Sequence, residues 1–208
     1  MTGSEMVTAL GTRLEDTAHT LFSTTQKLDA LNMAQLTVVN LVHDSYLTEL
    51  ETIAENKSVT AGTTYSGGTS LATCTFATAS IDPIRGQINN VHDNAGHFFN
   101  LVSASSAKDL ENSYLKGTTD SPIAFIFDET IWISPESGTS TIDIWYLSKP
   151  TDIANTGTEC QLNPALHEAV VDFAESQLWK SDGKSDRAGV AQANATNIIS
   201  TLNARKGA

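Results

Sequence analysis

No stretch of the 208 residues approaches the ~20 consecutive apolar residues that a membrane-spanning helix needs. The first residues include Glu5, Glu15 and Asp16 and lack the charged-then-apolar layout of a secretion signal, so no leader is read. Cysteine is scarce. Cys74 and Cys160 stand far apart without a CxxC partner and read as two structural thiols in a reducing compartment, a lone disulfide being the alternative. Basic charge is short too: 12 Lys and Arg face 24 Asp and Glu, a net −12. Affinity for a phosphate backbone comes mainly from Lys and Arg displacing counterions, so this body is a poor nucleic-acid binder. GxSxG, P-loop, GxGxxG and HExxH motifs are all missing.

The residues that could carry chemistry are few. Of five histidines, the pair His92 and His97 with Asp93, in the run VHDNAGH, is the only cluster that could be called metal-like. Two His and one Asp in a loop are thin for a metal centre, so satisfied or exposed histidines are expected. The neighbouring acids Glu15-Asp16 and Asp128-Glu129 read as solvated residues at a helix end and a turn. His43-Asp44 reads as a local cap or bend. Trp132, Trp145 and Trp179 fall on different elements and read as core or interface anchors. The expectation is a chain that is not an enzyme, with no catalytic residue, cofactor or metal.

What is present is an ordered succession of helical and β patterns. The length suits one domain, or one with a sizeable insertion, and suffices for a core without staples. Ser4 to Asp16 reads as a short helix with Met6, Leu10 and Leu14 on one face. Ser23-Thr24-Thr25-Gln26 fits a capping box, in which serine and glutamine side chains satisfy each other's backbone N–H groups. From there to Leu50 apolar residues form two stripes: Leu28, Leu31, Ala34, Val38 and Leu41, then Leu36, Val39, Tyr46, Leu47 and Leu50. A helix on a monomer's surface needs one stripe. Two imply cover from both sides, deep in a bundle or against a neighbouring subunit.

Composition changes near Asn56. Thr, Ser and Gly dominate to Ser70, with Gly67-Gly68 as a turn. Strands are expected at Leu71–Ala79, Gln87–Val91 and His97–Val102, with a turn over Ile81–Gly86 and a short helix over Ser105–Ser113. The clearest strands are Ile123–Phe127, Thr130–Ile133 and Thr141–Leu147, separated by turns at Asp128-Glu129 and Pro135–Gly138. Their spacing implies an antiparallel meander in a small barrel or sandwich. Asn163-Pro164 then opens a helix with Leu166, Ala169, Val170, Phe173 and Leu178 on one face, and Gly183 ends it. A last helix, about Asp186 to Ala204, has only Val190, Ile198, Ile199 and Leu202 as larger apolar groups. It is expected to contribute little core and to find a partner surface. Charge changes sign there: residues 1–179 carry 7 basic and 22 acidic residues, net −15, and residues 180–208 carry 5 and 2, net +3. That tail suits an acidic protein partner or a solvated helix end.

The resulting expectation is an α+β chain. Residues 1–56 form the N-terminal helical part of a bundle, 57–150 a β-rich insertion with a meander or barrel-like sheet, 151–183 the helix completing the bundle, and 184–208 a C-terminal docking arm.

The sequence resembles the head-to-tail adaptor (connector) proteins of tailed bacteriophages and gene transfer agents. The likeness rests on Leu14-Glu-Asp, Phe22–Gln26, Leu31–Gln35, Val39, Leu41 and Tyr46–Leu50, then Ile144–Pro150 and Asn163–Ala174. Such adaptors are non-enzymatic virion proteins, made in the host cytoplasm, that assemble as a ring, usually of twelve subunits, at the capsid vertex. They bind the portal, present a surface to the next neck or tail protein, and extend the channel through which DNA passes without specific binding. The resemblance places the portal contact in the tail, with Ile198, Ile199, Leu202 and Arg205 as candidates. Leu36, Val39, Tyr46 and Leu47 are the candidates for packing between subunits. Other readings are a tail terminator or other neck ring protein and, from a different class, a soluble β-domain module binding glycans.

Overall fold

The computed structural model describes residues 1–65, 69–105, 116–136, 139–154 and 157–206. Gly67-Gly68, most of the Ser105–Ser113 helix and the end of the Pro135–Gly138 turn lie outside them. The chain divides into a helical unit, residues 1–50 with 149–208, and a β unit, residues 51–148.

In the helical unit, capping residues set where each helix begins. Helix α1 (Gly3–Arg13) starts at Thr2, whose hydroxyl accepts from the Glu5 N–H while Glu5 accepts from the Thr2 N–H. Helix α2 (Thr24–Leu41) starts at the expected box: Ser23 Oγ accepts from Gln26 N at 3.2 Å, and Gln26 Oε1 accepts from Ser23 N at 2.9 Å. The run to Leu50 is not one helix. Val42 is extended and is followed by single 3-10 turns at Asp44–Tyr46 and Thr48–Leu50. His43 caps the first of these, accepting from Ser45 N, as the cap reading required. The second apolar stripe is therefore split between a helix and two turns.

Helix α4 (His167–Ser181) follows a turn that Asn163 caps and Pro164 opens. Short helix α3 (Phe76–Ala79) belongs to the β unit. Gly183, at φ 74°, ends α4 with Lys184 N donating to Trp179 O and Gly183 N to Lys180 O. This paired closure needs a left-handed residue, which glycine adopts without strain. Helix α5 (Ser185–Lys206) then packs on α4, which α1 and α2 also cover. The buried face of α5 is Ala188, Ala191, Ala195, Ile199 and Leu202. This spacing of three and four residues makes one continuous stripe. The expectation that α5 has little core to offer is thereby corrected. Its alanines are the core, because small side chains let two helix backbones approach. Among the described residues no helix is long and apolar enough to cross a membrane.

The β unit is a sandwich of two sheets. Strands β1 (Glu51–Ser58), β8 (Thr141–Ser148) and β4 (Pro83–Asp93) form one, in the order β1-β8-β4. The other has the order β2-β3-β7-β6-β5, from β2 (Thr60–Tyr65), β3 (Thr69–Thr75), β7 (Thr130–Ser134), β6 (Ile123–Phe127) and β5 (Asn100–Leu101). All pairings are antiparallel except β5 with β6. Asp128 and Glu129 both take positive φ, 50° and 52°, the geometry of a tight hairpin between β6 and β7. The meander stops there, because β8 pairs in the other sheet, and no closed barrel forms. Ile88, Val91, Ile142 and Ile144 from one sheet meet Ala72, Cys74, Ala124, Ile131 and Ile133 from the other. The turn expected over Ile81–Gly86 is partly strand. Its signals mark an irregular start of β4, where the register shifts and Arg85 has φ 56°.

Candidate assembly surfaces

The corner between α1 and α2 fixes how the helical surfaces are presented. Asp16 is not solvated, as its place beside Glu15 implied, but 3% exposed. Its carboxylate accepts from the N–H groups of Thr20, Leu21 and Phe22. Lys27, fully buried, sets its ammonium 3.0 Å from Asp16 Oδ2, 2.6 Å from the Asp16 carbonyl and 3.0 Å from His19 Nδ1. The Leu21 N–H does most to hold the Asp16 carboxyl well below the ordinary range. Burial works against it, and Phe22, Lys27 and Thr20 add to the lowering. A carboxylate with three amide donors and an ammonium is fully satisfied out of water.

The eight residues singled out by the sequence separate by burial. Val39 and Leu47 are buried in the chain's own helical core, and Leu36 and Tyr46 are half-buried. The Tyr46 hydroxyl donates to the Leu202 carbonyl at 3.3 Å. Ile199 and Leu202 are buried, whereas Arg205 is exposed. Ile198 is half-buried and lines an open groove of about 610 Å³ with Arg13, Asp172, Glu175, Asn194 and Asn197. Arg13 crosses that groove to pair with Glu168 and Asp172. Burial raises the Asp172 carboxyl, with Arg13 opposing the rise. Asn203 ties the end of α5 to α2, donating to the Leu41 carbonyl at 3.0 Å and accepting from His43 N at 2.8 Å.

Sequence reasoning missed Met33, which lies on neither stripe and is 62% exposed. It borders a second groove, about 360 Å³, lined by Gln26, Asp29, Ala30, Gln177, Leu178, Lys180 and Ser181. A third, about 380 Å³, lies between Arg13, Glu175, Trp179, Asp186, Arg187 and Val190. There Lys184 and Arg187 sit over the Trp179 ring, 4.5 and 4.9 Å from its centroid. Charge within the helical unit is divided: residues 1–50 and 149–179 carry 3 basic and 11 acidic residues, net −8, against +3 for residues 180–208.

The protein-family model of the SU10 adaptor protein matches residues 1–208. The chain belongs to that family. No curated protein matches it. The family agrees with the resemblance to phage head-to-tail adaptors, and it is a family of structural adaptors rather than a class of enzymes.

The adaptor's β unit places the remaining sequence-marked residues. His97 Nδ1 lies 2.9 Å from Asp93 Oδ2, and His92 Nδ1 lies 2.9 Å from the Asp93 carbonyl. Burial works to raise the Asp93 carboxyl, but hydrogen bonds from His97 and Ala95 outweigh it and leave it lowered. Among the described residues no three His, Cys, Asp or Glu gather as a metal ion would require. Cys74 and Cys160 are both buried free thiols, and burial raises each. Trp132 stacks on Phe125 and, with Tyr65 and half-exposed Phe127, forms an aromatic cluster on the five-stranded sheet. Trp145 packs on His92, 4.3 Å between ring centroids. Trp179, 2% exposed, is a core anchor of the helical unit.

Proposed function

We propose that this adaptor forms a ring, of twelve copies, between the portal at the capsid vertex and the next neck or tail protein, and that it extends the channel through which DNA leaves the head. The observation that carries this reading is the family match along the whole chain. The net charge of −12 supports it, because DNA slides past an acidic wall and binds a basic one. The portal contact is assigned to the end of α5, through exposed Arg205 and half-buried Ile198, while Ile199 and Leu202 are buried in the chain's own fold.

Co-purification with the portal protein tests this assignment. Removing residues 184–208 would strip the cover from α4, so point variants are the cleaner probe. Arg205→Glu with Ile198→Asp is expected to fold normally and to lose portal binding. Undiminished binding by that variant would contradict the assignment.

A further inference from the structure

We propose that the ring contact of the helical unit is head-to-tail: the Val190 face of α5 in one copy seats in the Met33 groove between α2 and α4 of the next copy. This rests on the ring reading above and specifies which surfaces make the ring.

Val190 and Met33, at 64% and 62%, are the most exposed large apolar residues of the helical unit among those described. They belong to different patches. Lys180, on the rim of the Met33 groove, donates to Gln192 of α5 at 2.9 Å. Val190 is two positions from Gln192, about 200° around the helix, and so points away from that groove. A copy therefore cannot fill its own groove with its own Val190. Joining two unlike patches between copies is the heterologous arrangement that generates rings when the rotation closes.

The patches also match in kind. Each has an apolar centre with acids and bases in equal number beside it: Glu175, Asp186, Arg13 and Arg187 near Val190, Asp29 and Lys180 near Met33. Docked head-to-tail, Arg187 of one copy meets Asp29 of the next. Gly189 adds a separate observation. A glycine inside a helix costs about 1 kcal/mol relative to alanine. Yet a Cβ at Gly189 would meet nothing within 4 Å, so the chain's own packing does not call for it. Beside a protruding Val190, it leaves room for the close approach of a second copy.

The test uses the full chain, alone and mixed with its portal, with ring formation read by native mass spectrometry. Val190→Asp changes an exposed side chain and is expected to keep the wild-type melting temperature while cutting ring formation about tenfold or more, the scale of an unpaired charge at an interface centre. Arg187→Glu is expected to weaken assembly and Asp29→Arg to restore it in the double variant. Under oxidation, Met33→Cys copies mixed with Val190→Cys copies should cross-link to each other, and neither should cross-link alone. If wild type forms rings but Val190→Asp forms them equally well, or the cysteines link only like to like, this contact is wrong and the ring reading stands. If wild type forms no ring in either condition, both fall.

Discussion

Asp16 shows how one side chain can organise a corner of the fold. Its folded carboxyl stays ionised well below the 3.8 at which it titrates in an unfolded chain. As pH falls through that value the unfolded chain takes up a proton that the folded chain refuses, so stability falls. His167 acts at higher pH. Its Nε2–H donates to the Leu162 carbonyl at 2.8 Å, and burial lowers its pKa from 6.5. Unfolded His167 is protonated first, and stability declines as pH drops through 6.5. Asp172, raised by burial, binds its proton more readily when folded and works in the opposite sense on the acid side. Urea melts between pH 7.5 and 2.5 should therefore lose stability in two steps. His167→Gln should remove the upper step. Asp16→Asn should be destabilised at pH 7, with its deficit against wild type shrinking toward pH 2.5. A deficit independent of pH would mean that Asp16 acts by shape alone.

At the scale of elements, capping and packing decide what the sequence announces. Ser23→Ala should cost about 1 kcal/mol in chemical denaturation, the usual worth of an N-cap. Ala195, fully buried in the stripe of α5, should tolerate no growth. Ala195→Leu is expected to cost about 1–3 kcal/mol and to raise amide exchange along α5, since overpacking pushes two close helices apart. Unchanged exchange there would show that α5 is not held by its alanines. The capped starts at Ser23 and Asn163, the stop at Gly183 and the β6–β7 hairpin were legible, because each is chemistry within a few residues. What was not legible depended on distant partners. The break after Leu41 is stabilised by Asn203, from the far end of the chain. Asp16 looks solvated until Lys27 is folded against it. The α5 stripe escaped notice because alanine reads as weak until a helix lies close enough to use it. For the proposed surfaces, Val190 and Arg205 were visible in the sequence, whereas Met33 could be recognised only once its groove existed.

For the whole molecule, charge is the property that reaches furthest. At net −12 the chain should give no mobility shift with duplex DNA at about 0.15 M salt, where affinity depends on released counterions. A shift would contradict a channel that DNA merely traverses. Membership in the SU10 adaptor protein family across residues 1–208 fixes the class, and the ring is the central claim built on it. Electron microscopy of this chain mixed with its portal tests that claim most directly. The account predicts a ring of twelve copies stacked on the portal and coaxial with its channel. Portal particles without added density, beside free monomers, would contradict it.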